Sequence, residues 1–169
     1  WRVEKDPFLA STFGSVSILD RPLDVARLRR RLAGAVAVVP RLAWRVQPAR
    51  SDIGPPTWGD DPDFDHGFHV RHVALPAPGS DEQLYELAAQ YVADPLDRTR
   101  PLWGFLVVDG LSGGRGALVQ RMHHSISDGV TALKLSLQYM DLERDATSPV
   151  GGEVIVDDGT PPPPPPSSL

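Results

Sequence analysis

The chain contains no cysteine. That excludes a disulfide framework, a thiol nucleophile and a thiolate metal site. It also lacks a basic excess: 17 lysines and arginines stand against 22 acids, a net charge of -5. Nucleic acid is therefore not expected as a partner, since binding phosphates calls for the opposite balance. No apolar run approaches the roughly 18 residues needed to span a bilayer. No signal-peptide pattern is visible, and because the sequence starts at Trp1 rather than Met, an upstream segment is left open. Proline, by contrast, is abundant at 18 residues, six of them consecutive at positions 161–166. With 41% hydrophobic residues in 169, the chain can bury one core.

Periodicity lays out the elements. Phe13 to Leu19 reads as a strand. Asp24 caps a helix in which Val25, Leu28, Leu32, Val36 and Val39 recur at helical steps, until Pro40 ends it. Arg27, Arg29, Arg30 and Arg31 lie on its opposite face, read as a solvated face or as attraction to anionic lipid or phosphate. Leu42 to Val46 alternates like a strand, and residues 48 to 63, rich in Pro, Gly and Asp, read as loop. Phe64 to Leu75 reads as a strand. Its three histidines, His66, His69 and His72, are spaced by three, share no strand face and have no partner at a zinc spacing, so no metal site is expected. Ser80 with Gln83 makes a capping box ahead of a helix that buries Leu84, Leu87, Ala88 and Tyr91, and Pro95 closes it. Leu102 to Asp109 and Gly116 to Met122 read as a hairpin around a glycine-rich turn.

The hairpin runs into Arg121-Met122-His123-His124-Ser125-Ile126-Ser127-Asp128-Gly129. Beyond it, Val130, Leu133, Leu137 and Met140 recur at helical spacing, with Asp128 placed as an N-cap. Two imidazoles, an acid and a glycine thus sit at a strand-to-helix turn. Imidazole is the side chain best suited to take and return a proton near neutral pH. On extended chain neighbouring side chains face opposite ways, so one ring faces a substrate and the other packs behind it. A structural pair beside a helix cap is the plainer reading. Two titratable groups with an acid at such a turn fit the makings of a site better. A serine hydrolase built on Ser125 or Ser127 is disfavoured, since neither lies in a Gly-x-Ser-x-Gly elbow.

His-His-x-x-x-Asp-Gly resembles the signature of the CoA-dependent acyltransferase superfamily, which includes chloramphenicol acetyltransferase and peptide-synthetase condensation domains. The segment Pro95 to Trp103, ending in Pro101-Leu102-Trp103, is similar to one in the bacterial wax ester synthase/diacylglycerol acyltransferase family. So, in the same order, are Val39-Pro40-Arg41-Leu42, Pro56-Thr57-Trp58, Phe64-Asp65, His69-Val70 and Leu75 to Gly79. The resemblance covers roughly residues 1 to 145. It implies an α/β fold, a mixed sheet with flanking helices like that of chloramphenicol acetyltransferase, and one half of a two-half enzyme. Residues 146 to 169 then read as a linker toward a C-terminal half.

The resemblance further implies transfer of an acyl group from acyl-CoA to diacylglycerol or a long-chain alcohol. His124 would be the general base, His123 a supporting ring and Asp128 the residue that holds the loop. Gly129, Pro101, Leu102 and Trp103 would be structural members of the motifs, Trp103 chiefly by core packing. No cofactor is implied, acyl-CoA being a substrate, and no residue is assigned to substrate binding. The expected location is cytoplasmic and peripheral, at a membrane or lipid inclusion. The second half, on another chain or in covalent continuation, is expected to cover more than about 2,000 Å². The alternatives are an interaction module that presents its proline run to a partner, or a condensation-type acyltransferase.

Overall fold

A computed structural model describes residues 11–48, 55–126, 135–136 and 138–140. Its centre is a hairpin of two strands, β5 (Trp103–Leu111) and β6 (Arg115–His123). From Trp103 to Val108 every residue of β5 is buried, as expected of a strand covered on both faces. Strand β1 (Thr12–Leu19) lies antiparallel beside β6, and β4 (Val70–Ala74) lies parallel beside β5. The four-stranded order is β1-β6-β5-β4. The outer strands show their position: Val16 and Ile18 of β1 are exposed, as are four of the five residues of β4.

One helix, α1 (Val25–Val38), lies on one face and buries Leu28, Leu32 and Ala35 against Phe105, Val107, Leu118 and Met122. Its start is the Asp24 cap, whose carboxylate accepts from the Arg27 amide at 2.9 Å. Tyr139, one of the helical residues 135–136 and 138–139, joins that same core. A second helix covers the other face with Leu84 and Ala88, against Leu106, Val108, Ala117 and Val119. This helix, Asp81–Ala93, opens on the expected capping box of Ser80 and Gln83. Its Leu87 and Tyr91 are half-buried rather than buried. The result is a mixed sheet between helical layers, in agreement with the fold class expected from sequence.

Three segments differ from expectation. Phe64 to Leu75 is not one strand. Residues His66–His69 form a helical turn, capped by Asp65 accepting from the Gly67 amide at 2.8 Å, and only then does β4 begin. In chain order this turn is α2 and the Asp81–Ala93 helix is α3. The loop expected over residues 48 to 63 contains a strand, β3 (Thr57–Asp60), paired antiparallel with β2 (Trp44–Gln47). Leu42 and Ala43, expected in the strand, belong to a short 3-10 turn that precedes β2.

Candidate active site

The histidines stand where β6 ends. Within a strand, successive backbone amides point to opposite sides, and here each side is occupied. The His123 amide donates to the Leu102 carbonyl at 2.9 Å, on the β5 side. The His124 amide donates to the Ser11 carbonyl at 2.8 Å, on the β1 side. Leu102 thus touches the motif through its backbone. Pro101, Leu102 and Trp103 are all buried. Trp103 sits opposite Met122 in register, and its indole N–H donates to the Leu42 carbonyl at 2.7 Å.

Past the strand the chain turns at once, with the Ile126 amide donating to the His123 carbonyl at 3.0 Å. The two rings differ in surroundings. His123 is only 8% exposed, and its Nδ1 lies 2.6 Å from the Ser125 hydroxyl and 3.0 Å from the Ser125 amide. His124 is exposed, its ring tilted against Phe13 with centroids 4.6 Å apart. Asp128 and Gly129 lie outside the described residues, as do the expected cap by Asp128, most of the stretch expected to form the next helix, and the proline run.

Behind the histidines the α3 face of the sheet is unusually bare. Arg121 of β6 pairs with Gly14 on β1 and with Gly104 on β5. The missing side chains let the last turn of α3 close on the sheet. A Cβ at Gly104 would come within 2.6 Å of the Tyr91 hydroxyl, and one at Gly14 would collide with Val92. Arg121 fills the row between them. Its Nη1 donates to the carbonyls of Tyr91 at 2.6 Å and Asp94 at 3.0 Å, and its guanidinium lies 4.2 Å from the Tyr91 ring centroid. A cation on the last carbonyls of a helix is the favourable end for its charge.

The three spaced histidines do not come together. His69 is buried, stacked on Trp103 at 4.3 Å, and its Nδ1 donates to the Trp103 carbonyl at 2.9 Å. Burial pushes its pKa below the ordinary histidine value. His72 pairs with Asp109 on the surface at 2.6 Å. Among the described residues no group of three His, Cys, Asp or Glu could hold a metal ion. Of the four arginines of α1, Arg29 donates to the Val70 carbonyl at 3.0 Å and Arg31 to that of Met140 at 3.2 Å, so both tether the helix. The sequence does not point to Arg121 or Phe13 as site residues, and it offers Ser125 only as a disfavoured nucleophile. The only available signal was proximity, Ser125 being two residues from His123.

A family model described as the wax ester synthase/diacylglycerol acyltransferase catalytic domain matches residues 9–162. The chain belongs to this family. Among curated relatives in it, the probable diacylglycerol O-acyltransferase tgs3 of Mycobacterium tuberculosis is 42% identical over 134 residues, 78% of this chain and 49% of that protein. The probable diacylglycerol O-acyltransferase tgs1 of the same organism is 37% identical over 131 residues, 77% of this chain and 28% of its own length. The chain therefore spans about half, or less, of the curated relatives it matches. The solved wax ester synthase/diacylglycerol acyltransferase of Marinobacter aquaeolei VT8 aligns with a TM-score of 0.61 at 28% identity, over 75% of this chain and 33% of that one. The first condensation domain of the calcium-dependent antibiotic synthetase aligns at 0.66 and 23% identity, over 82% and 33%. That second likeness concerns the fold alone.

Proposed function

We propose that this chain carries the histidine motif of an O-acyltransferase that moves a long-chain acyl group from acyl-CoA to diacylglycerol or to a long-chain alcohol. The observation that carries the reading is His124, an exposed ring at the end of a buried strand in a chain of this family. His124 takes the proton of the acceptor hydroxyl as its oxygen attacks the thioester carbonyl. The C–S bond breaks as the ester forms, and the protonated ring returns the proton to the departing sulfur. The products are triacylglycerol or wax ester and free CoA. Proton transfer of this kind contributes roughly 10²- to 10⁴-fold in rate. The reaction requires no cofactor. Asp128 holds the loop, and Gly129 gives the ring room.

Residues 1 to 145 are one half of the enzyme, 146 to 169 lead toward a C-terminal half, and the walls for the acyl chain come from that half. The acceptors partition into lipid, which places the enzyme peripherally at a cytoplasmic membrane surface or lipid inclusion. No helix among the described residues is long and apolar enough to cross a membrane. The test is thiol release from palmitoyl-CoA, with diacylglycerol or hexadecanol, by the full-length protein. His124→Ala is expected to lower turnover by at least about 10²-fold with the fold intact. Near-normal turnover in a folded variant would overturn the assignment of the base.

A further inference from the structure

We infer that Ser125 is a positioning residue that holds His123 as the ring with its proton on Nε2, so that the two adjacent histidines have different duties. The inference rests on the acyltransferase reading for its kinetic consequence, but on hydrogen-bond geometry for the tautomer. A backbone N–H can only donate. The Ser125 amide points at Nδ1 of His123 from 3.0 Å, so Nδ1 must present its lone pair. In a neutral imidazole the proton is then on Nε2. The Ser125 hydroxyl, 2.6 Å from that same lone pair, has only one useful orientation, with its hydrogen toward the ring. The tight turn closed by the Ile126 amide brings both donors of Ser125 onto one nitrogen. The ring plays the part that an aspartate or asparagine side chain plays in an Asx turn.

The consequence is an exclusion. One nitrogen of His123 has its lone pair engaged by Ser125, and the other already carries a proton. His123 therefore cannot accept the acceptor's hydroxyl proton; it can only donate, through Nε2. At His124, among the described residues, neither ring nitrogen has a hydrogen-bond partner, and the ring is exposed. The base must be sought there. The 2.6 Å Ser125–His123 pair admits one competing chemistry: Nδ1 takes the serine proton as Oγ attacks the thioester carbonyl, the C–S bond breaks, and CoA leaves as the thiol with that proton.

The experiment uses the full-length protein labelled with 15N-histidine, and long-range proton–nitrogen correlation of the imidazoles, with His123→Gln identifying the signals that belong to His123. The expected result is an unprotonated Nδ1 and a protonated Nε2. Ser125→Ala keeps the amide and loses the hydroxyl, so the Nδ1 resonance moves while the tautomer stays. The same variant is expected to lower kcat for thiol release from palmitoyl-CoA by about two- to tenfold, the effect of one ordinary hydrogen bond, with KM unchanged. Ser125→Thr restores both. A proton found on Nδ1 overturns the inference. So does a Ser125→Ala protein with unchanged Nδ1 resonance and unchanged kcat, and so does an acyl adduct on Ser125 after incubation with palmitoyl-CoA. The stated tautomer and resonance change in a protein that releases no thiol would bear out the lock and overturn only the acyltransferase reading.

Discussion

Tyr139 donates a 2.5 Å hydrogen bond to the side-chain carbonyl of Gln120, and both residues are buried. Gln120 precedes the histidines on β6, and Tyr139 follows the whole motif. The chain thus leaves the sheet, makes its turn, and is fastened back beside the strand it left. The Tyr139 ring adds an edge-to-face contact with Phe105 at 5.1 Å. Tyr139→Phe keeps the ring and strands the Gln120 oxygen. The expected cost is about 1–3 kcal/mol, read as a lower urea midpoint. The effect should also depend on pH. Burial pushes the Tyr139 phenol from its ordinary value of 10.0 up to about 12. A folded value above the unfolded one means stability that is complete below pH 10 and lost as pH rises toward 12. The parent should lose stability across that window more steeply than Tyr139→Phe. Tyr91, also raised by burial, is present in both proteins and cancels in the difference.

His69 should govern the acid side. Burial lowers its pKa, the largest of the effects on it, although the Trp103 carbonyl works in the other direction. A histidine depressed in the folded state contributes stability that is present above the unfolded value of 6.5 and lost as pH falls through the folded value. His69→Asn places a donor near the Trp103 carbonyl without a titrating group. It should be less stable at neutral pH by roughly 1 kcal/mol, for the lost stack on Trp103. Below pH 6.5 its urea midpoint should fall less than the parent's. Parallel curves would remove His69 from the account.

The two glycines beside Arg121 should not be equally sensitive. A methyl at Gly14 meets Val92, a short branched side chain, and the Gln120 carbonyl at 3.0 Å. A methyl at Gly104 meets the far end of the Tyr91 side chain. Both overpack, at a cost of about 1–3 kcal/mol. Gly14→Ala should be the worse, because its neighbours have less room to give. Thermal unfolding of the two variants gives the order directly.

What sequence made legible, and what it did not, follows from the range of the signals. The hairpin, the Asp24 cap and the Ser80–Gln83 box are written in near neighbours, and all three are present in the structure. The parallel pairing of β4 with β5 joins strands separated by the whole of α3, and no local pattern specifies it. Residues 66–69 form a single helical turn, too short for a 3.6-residue period to stand out from the strand that follows. Strand β3 hides in a stretch of prolines and aspartates because its four residues are held by β2 rather than by their own propensity. At the site, the pair of histidines was visible as letters. That one ring is buried on Ser125 and the other exposed beside Phe13 depends on the turn and on β1, which lies over a hundred residues away in the chain.

The arginines of α1 divide by use. Arg29 and Arg31 hold backbone carbonyls, whereas Arg30 is exposed and Arg27 half-buried. If the helix face attracts anionic lipid, Arg30→Glu should weaken sedimentation with phosphatidylglycerol vesicles at low salt, at about 1 kcal/mol per charge removed, and leave the unfolding temperature nearly unchanged. Charge reversal at Arg29 or Arg31 should instead lower the unfolding temperature. Unchanged sedimentation in the first variant would remove this face as a lipid contact.

The row of Gly14, Arg121 and Gly104 bears on how such a motif can be moved or inherited. Seven residues with two histidines look like a portable cassette. In this fold the strand that carries them also bears an arginine whose space is made by bare backbone on two other strands, β1 near the start of the described chain and β5 just ahead of β6. A graft of β6 into another sheet would arrive with Arg121 and without its slot. In diverging copies the three positions should change together or hardly at all, since a methyl on either flank closes the gap that the helix end and the guanidinium share.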